Sequence, residues 1–422
     1  MPIMSRTLMS FAALCCMAAA TTQAQEWPRF RGEQGAGTSE TTGLPATWSE
    51  SENIVWKLEM PGYGASSPIL WGEKLFITCY TGYGQGGEDG EKADLHGQTL
   101  CINRHTGETI WDMSIPTFRG ERQYEGFIRE HGYSSATPAT DGNHVVSFFG
   151  ASGVVAYDME GNELWRTSVG TKTHNFGSGT SPVIFGSLVI INASVESDAL
   201  VALNLADGSE VWRIPRTDNT SFSSPVVAHI AGRDQMLISG ADYVSSFDPR
   251  SGKLLWKVKG TSKATCGTIV WDGDIVYASG GYPETQTIAI RADGSGDVLW
   301  SNRENSYEQS MIASGGYLYT VNDRGIAFCW DGLTGEEKWK HRLGGPVSAS
   351  PVLAGDLIYA TNEKGTTFVF RANPEEFDLV AENQLGDETF ATPTICGGRI
   401  YMRVASSAGG ERVETLYCLD EK

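Results

Sequence analysis

Glycine–tryptophan pairs four residues apart recur in register along this chain: Gly107/Trp111, Gly161/Trp165, Gly208/Trp212, Gly252/Trp256, Gly296/Trp300 and Gly335/Trp339. The tryptophans lie 54, 47, 44, 44 and 39 residues apart. A large, rare aromatic returning at this period marks a repeat, and between the returns the chain reads as short alternating strands split by Gly, Asn and Asp turns. One such unit cannot bury both its faces, so the units must stack on one another. Radial stacking into a propeller also leaves only short, protected edges.

A second pulse counts the units. A Ser/Thr-Pro dipeptide opens an apolar run at Pro68, Pro138, Pro182, Pro225, Pro351 and Pro393, and Thr268-Ile269 and Ser310-Met311 fall where the spacing requires two more. The slots are 70, 44, 43, 44, 42, 40 and 42 residues apart, which makes eight units. Asn103, Asp158, Asn204, Asp248 and Asp331 precede the glycines, and their side chains can bond their own backbone to set a tight turn. The tryptophan then falls on the outermost strand, where its ring covers the next unit and buries about 150–250 Å². The expectation is an all-β, eight-bladed β-propeller of four-stranded antiparallel blades.

Closure is legible at the ends. The eighth unit stops after its third strand, Leu416–Asp420, with no Trp-bearing fourth strand. A spare strand of that type, Asn53-Ile-Val-Trp-Lys-Leu-Glu-Met60, precedes the first Ser-Pro. Residues 53–60 are therefore expected to complete the last blade, after a lead-in segment 25–52. The seventh unit lacks a Gly/Trp pair, and Leu385 is expected in the tryptophan slot.

Residues 1–24 read as a secretory signal, with Arg6, an apolar stretch Leu8–Ala20 and Thr22-Gln-Ala24 as a small-residue cleavage site. Residues 25–422 then form one propeller domain, exported to the periplasm or secreted. Cys15 and Cys16 lack the small residue expected before a lipidated cysteine, so no lipid anchor is expected, and no later segment reads as membrane-spanning. Without residues 1–24, which hold one Arg and no acid, the chain carries 31 basic and 51 acidic residues, net −20. That balance argues against nucleic acid as a partner. Among the remaining cysteines, Cys101, Cys329 and Cys418 share one repeat slot and read as buried thiols. Cys79 and Cys101 are the one pair placed for a disulfide test.

The blocks Ala156-Tyr-Asp-Met-Glu-Gly-Asn-Glu-Leu-Trp165 and Cys329-Trp-Asp-Gly-Leu-Thr-Gly-Glu-Glu-Lys-Trp339 resemble the pyrroloquinoline-quinone (PQQ)-like β-propeller repeat family over the whole chain beyond residue 24. That resemblance implies the eight-bladed fold. The family holds quinoprotein dehydrogenases, which carry PQQ and calcium, and non-catalytic scaffolds such as the outer-membrane assembly factor BamB. The dehydrogenases hold the quinone under a ring of two adjacent cysteines, and the only adjacent pair here is Cys15-Cys16. The resemblance thus runs to the scaffold branch. It implies no cofactor, and a PQQ-dependent oxidoreductase using the channel is the alternative.

Other chemical motifs are lacking: no Gly-x-Ser-x-Gly, His-Glu-x-x-His or phosphate-loop Lys pattern occurs. Topology still localises binding. In a four-stranded blade the second-to-third-strand loops and the blade-to-blade loops emerge on one face. The two largest insertions, Thr81–Gly97 and Thr117–Tyr133, are of these types. The expected binding residues at the channel mouth are Tyr63, Arg119, His131 and Tyr133, then His174, Asn175 and Phe176, then Phe222, Lys263 and Gln309. Asn219, Tyr307, Glu308 and Phe390 lie in the same ring of loops. Aromatics, amides and histidines so placed suit a protein, peptide or glycan. The wheel is expected to work as a monomer or within a cell-envelope complex.

Overall fold

The tryptophans dock one blade onto the next. The Trp165 indole N–H donates to the Leu205 carbonyl of the following blade at 2.8 Å. Trp56, Trp111, Trp212, Trp300 and Trp339 donate in the same way to Arg104, Met159, Pro249, Gly332 and Asn373 carbonyls. In five of the six pairs, all but that of Gly296, the glycine serves the opposite junction from its own tryptophan. Gly208 has φ +70°, and a Cβ there would lie 2.5 Å from the ring of Trp165, the tryptophan of the preceding blade. Gly107 meets Trp56, Gly161 meets Trp111, and Gly335 meets Trp300 likewise. The sequence pair is thus two halves of two successive interfaces. Trp256 differs, its indole donating to the Gln235 side chain of its own blade at 2.7 Å.

The computed structural model describes residues 25–84, 90–124, 131–216, 221–407, 410 and 412–421. Seven sheets, each with four consecutive antiparallel strands, span residues 69–116, 139–167, 183–215, 226–259, 270–302, 312–342 and 352–384, and three strands of an eighth lie at 394–419. Strand Ile54–Glu59 pairs with Val413–Leu419 and completes blade 8, the closure expected from the sequence. In every blade the register shifts by a residue beside the tryptophan position of the outer strand. Such a bulge turns the ring into the blade interface and its neighbour outward, as at Ile110, Leu164 and Val211, which are exposed.

Blade 7 corrects one expectation. Cross-strand register sets Tyr319, Cys329 and Trp339 in one row of blade 6, and Tyr359, Val369 and Ala381 in the equivalent row of blade 7. Ala381, not Leu385, therefore holds the tryptophan slot. Leu385 lies just beyond the strand and is fully buried. The missing ring comes from the lead-in segment: Trp48 is buried and stacks on Tyr359 with ring centroids 6.3 Å apart. Its backbone N–H donates to the Asn383 side chain at 2.9 Å.

The Ser/Thr before each proline forms a belt around the axis. Its backbone N–H donates to the hydroxyl of the same residue in the next blade: Ser67 to Thr137, Thr137 to Ser181, Ser181 to Ser224, Thr268 to Ser310, Ser310 to Ser350 and Ser350 to Thr392. Hydroxyl-to-carbonyl bonds close the other two junctions, Ser223 to Gly267 and Thr394 to Pro68.

Below the belt the chain plugs its own channel. Trp27 pairs with Leu70, Thr38–Ser39 adds a parallel strand inside blade 7, and the Pro28 carbonyl accepts from Thr140. Arg31, 1% exposed, donates to the carbonyls of Pro351, Met311 and Ala36 at 3.2, 2.5 and 2.8 Å. Burial with no carboxylate partner pulls its pKa down to about 9. The seam between blades 8 and 1 is held by the buried Arg403–Glu414 pair at 2.5 Å and by Arg403 donating to the Thr78 carbonyl at 2.8 Å.

All six cysteines beyond residue 24 are free thiols. Cys79 stands opposite Gln98 and Cys101 opposite Phe76. An odd offset puts the two sulfurs on opposite faces of blade 1, so neighbouring strands do not make a disulfide here.

Candidate functional site: a blind axial well

Among the described residues the plug lies across the lower channel, and the channel opens on the face of the blade-to-blade connections. It holds a cavity of about 300 Å³. Phe30, on the plug, forms the floor, and belt residues Thr137, Ser181, Ser224 and Thr392 ring it. The connections supply the wall: His131, Phe176, Phe222, Cys266, Tyr307, Glu308 and Phe390.

Two sides of the wall meet across the axis. The His131 ring packs at a tilt against Phe390, centroids 5.3 Å apart, and its Nε2 lies 3.8 Å from the Glu308 carboxylate. Glu308 Oε2 is buried and accepts no hydrogen bond. Asp323 stands behind, accepting from the Tyr307 N–H at 3.1 Å, and burial, with Glu308 adding repulsion, raises its carboxyl pKa. Burial first, then these two acids, pushes the Cys266 thiol well up, so it faces the well as a neutral thiol and not as a nucleophile.

Of the residues expected from the sequence, His131, Phe176 and Phe222 line the well. His174 backs them: its ring lies 5.6 Å from Phe176 and 5.4 Å from Phe222, and its Nδ1 accepts from the Phe176 N–H at 3.2 Å. Burial, then Arg122, lowers the His174 pKa, so the ring stands neutral in this aromatic shelf. The others hold loops. Tyr133 donates to the Arg122 carbonyl at 3.0 Å and packs on Tyr124 at 4.6 Å. Tyr63 bonds the Arg412 carbonyl, with that guanidinium 4.7 Å over its ring. Gln309 is fully buried and donates to the Val347 carbonyl. Asn175 accepts from Arg122 at 2.6 Å, and Arg119 and Lys263 are exposed outside the well. Asn219 and residues 85–89 and 125–130 of the two insertions lie outside the described residues. Sequence reasoning misses Phe30 and Cys266; the first belongs to a non-repeating lead-in, and the second reads only as a small residue near a degenerate slot.

A second, smaller cavity of about 20 Å³ lies beside the well between blades 2 and 3, lined by Glu121, Tyr124, His174, Ser178 and Glu196. Glu196 is 1% exposed and neither carboxylate oxygen has a hydrogen-bond partner. Burial raises its pKa to about 7. A carboxyl raised on folding stabilises the fold while protonated, and this contribution is lost as pH climbs from about 4.5 through 7. Glu196→Gln is therefore expected to raise stability above neutral pH by up to about 3 kcal/mol and to flatten the melting profile between pH 5 and 8. Equal pH dependence of wild type and variant in chemical denaturation would contradict it.

Among the described residues no group of three or more His, Cys, Asp or Glu side chains is arranged to hold a metal ion, and no helix is long and apolar enough to cross a membrane. The fold and the well together define an eight-bladed propeller of PQQ-like repeats with a one-ended axial pocket. The family model described as "Outer membrane protein assembly factor BamB" matches residues 96–341 and 312–376, more than half of the chain. The chain belongs to that family. It is 27% identical over 367 residues to outer membrane protein assembly factor BamB of Salmonella typhimurium, covering 71% of this chain and 87% of that one. It is 24% identical over 300 residues to tetrathionate hydrolase of Acidithiobacillus ferrooxidans, covering 62% of this chain and about half, 53%, of the hydrolase. Among solved structures, BamB of Moraxella catarrhalis superposes with TM-score 0.60 at 15% identity, over 86% of this chain and 99% of that one. Quinohemoprotein alcohol dehydrogenase of Comamonas testosteroni gives TM-score 0.69 at 11% identity, over 96% and 82%. These last two likenesses are of fold alone.

Proposed function

We propose that this protein is an exported, non-catalytic scaffold that binds a partner protein or peptide on the face of the blade-to-blade connections. The observation that carries the reading is the one-ended well: the chain's own lead-in segment fills the lower channel, so the wheel takes a side chain or chain end and does not thread a polymer. Phe176, Phe222, Tyr307 and Phe390 supply apolar contact, and His131 and Glu308 supply the polar groups that set orientation. Family membership among outer-membrane assembly factors and the signal-like residues 1–24 support a place in the periplasm, within a cell-envelope complex.

The oxidoreductase alternative fits the pocket poorly. PQQ is a tricarboxylate, and the well offers Glu308 with Asp323 behind it and, among the described residues, no Arg or Lys in its lining. A quinone would add negative charge beside Glu308, where the His131 imidazole stands 3.8 Å away. The test is capture of the partner from envelope extract by the wild type and by the His131→Ala/His174→Ala double variant, with circular dichroism showing the wheel intact. Loss of at least tenfold in capture is expected. Unchanged capture would take both histidines and the well out of the binding surface.

A further inference from the structure

The charge balance of the well points to the chemistry of what enters it. Its wall carries one carboxylate, Glu308, whose Oε2 is buried and accepts no hydrogen bond. Asp323 lies behind, and the Ser348 hydroxyl in the wall donates to a third acid, Glu363, at 2.7 Å. Among the described residues nothing in the lining is Lys or Arg, and Lys263 and Arg122 are exposed outside the well. The imidazole of His131 reaches Glu308 only at 3.8 Å, too far for a hydrogen bond. Around this charge stand the rings of Phe30, Phe176, Phe222, Tyr307 and Phe390. Ring faces carry negative quadrupole potential, and such walls attract a cation that has given up its water. The Glu308 side chain is 31% exposed, but its Oε2 is buried without a donor, and a buried carboxylate oxygen is costly unless a positive group completes it.

We infer that the well is a receptor for an organic ammonium group, free or at the tip of a lysine side chain, seated among the Phe rings with Glu308 as its counter-charge. The inference rests on the proposed binding face and names what that face selects. A neutral apolar group of the same shape gains the same wall contact but leaves Glu308 unanswered. An anionic group meets three acids. The blind floor at Phe30 limits the occupant to one head group, which suits a cavity of about 300 Å³.

The test is calorimetric titration of the full-length protein with choline, with its neutral isostere 3,3-dimethylbutanol, and with Nα-acetyl-lysine N-methylamide. At least one ammonium is expected to bind at least tenfold more tightly than the neutral isostere. Glu308→Gln is expected to weaken that ammonium tenfold or more while leaving the isostere unchanged. Phe222→Leu, which keeps apolar bulk and removes a ring face, is expected to weaken it severalfold. The lysine derivative binding in preference to choline identifies a partner's side chain as the source, and the reverse identifies a small free ligand. Neither ammonium binding more tightly than the isostere, or an unaffected Glu308→Gln variant that melts like the wild type, would each overturn the inference. Glu308→Gln also separates this failure from that of the broader reading: capture of the envelope partner persisting while no ammonium binds leaves the binding face standing without its ammonium receptor.

Discussion

Deletion of residues 25–60 is expected to leave no soluble, folded wheel. The segment supplies the outer strand of blade 8, and without Ile54–Glu59 the strand Val413–Leu419 becomes a bare edge of mostly buried residues. Trp56, whose indole bonds Arg104 of blade 1, is lost from the closing junction. The plug goes with it: Trp27, Arg31 and Trp48 are all buried, and the carbonyls of Met311 and Pro351 lose the Arg31 guanidinium. Exposed strand edges of this kind pair with other chains. Soluble yield, far-ultraviolet circular dichroism and thermal melting measure the outcome. A truncated protein that melts like the full-length one would sink the closure described above.

Trp48→Ala is expected to destabilise the wheel by roughly 3–5 kcal/mol, the range for removing a large buried aromatic. Trp48 belongs to no repeat, yet it does what Trp339 does for blade 6, covering the Tyr359 row that Ala381 leaves open. The neighbouring structure cannot collapse easily into the space, because Tyr359 and Val369 are strand residues fixed by register on both sides. Trp48→Phe should recover part of the loss. Trp165→Ala is expected to cost a comparable amount, whereas Trp212, which is only half-buried, should cost less. Urea denaturation reads the differences, and a Trp48→Ala effect under about 1 kcal/mol, as at an exposed position, would mean that its ring is not part of the blade junction.

What could be read from the sequence and what could not divide along one physical line. Repeated contacts leave a period. The belt hydroxyls, the Asx turns of Asn103 and Asp331 and the docking tryptophans make the same contact blade after blade, so their spacing encodes the wheel and its count. Contacts made once leave none. Trp48 filling the blade 7 gap, Phe30 at the floor of the well and Arg31 on three carbonyls come from a lead-in with no repeat. The Cys79 and Cys101 relation needed strand register as well as strand adjacency. In the well, the ring of connections was legible because topology sends them to one face. Which of their side chains reach the axis was not: His131, Phe176 and Phe222 do, while Gln309 is spent on a backbone carbonyl and Tyr63 on the blade 8 seam.

The belt has a further consequence. Six of its junctions carry a backbone N–H to a hydroxyl, all running the same way around the axis, and two hydroxyl-to-carbonyl bonds close the circuit. A one-way ring of fixed links has a circumference, and the circumference sets the number of members. Loss of a single repeat by recombination would not give a smaller wheel of the same quality. The surviving links would have to span a new angle at every junction at once, including those far from the deletion. Whole-repeat gain or loss should therefore be much less tolerated than substitution within any blade, and the genetic drift of such a chain is confined to its letters and kept from its length.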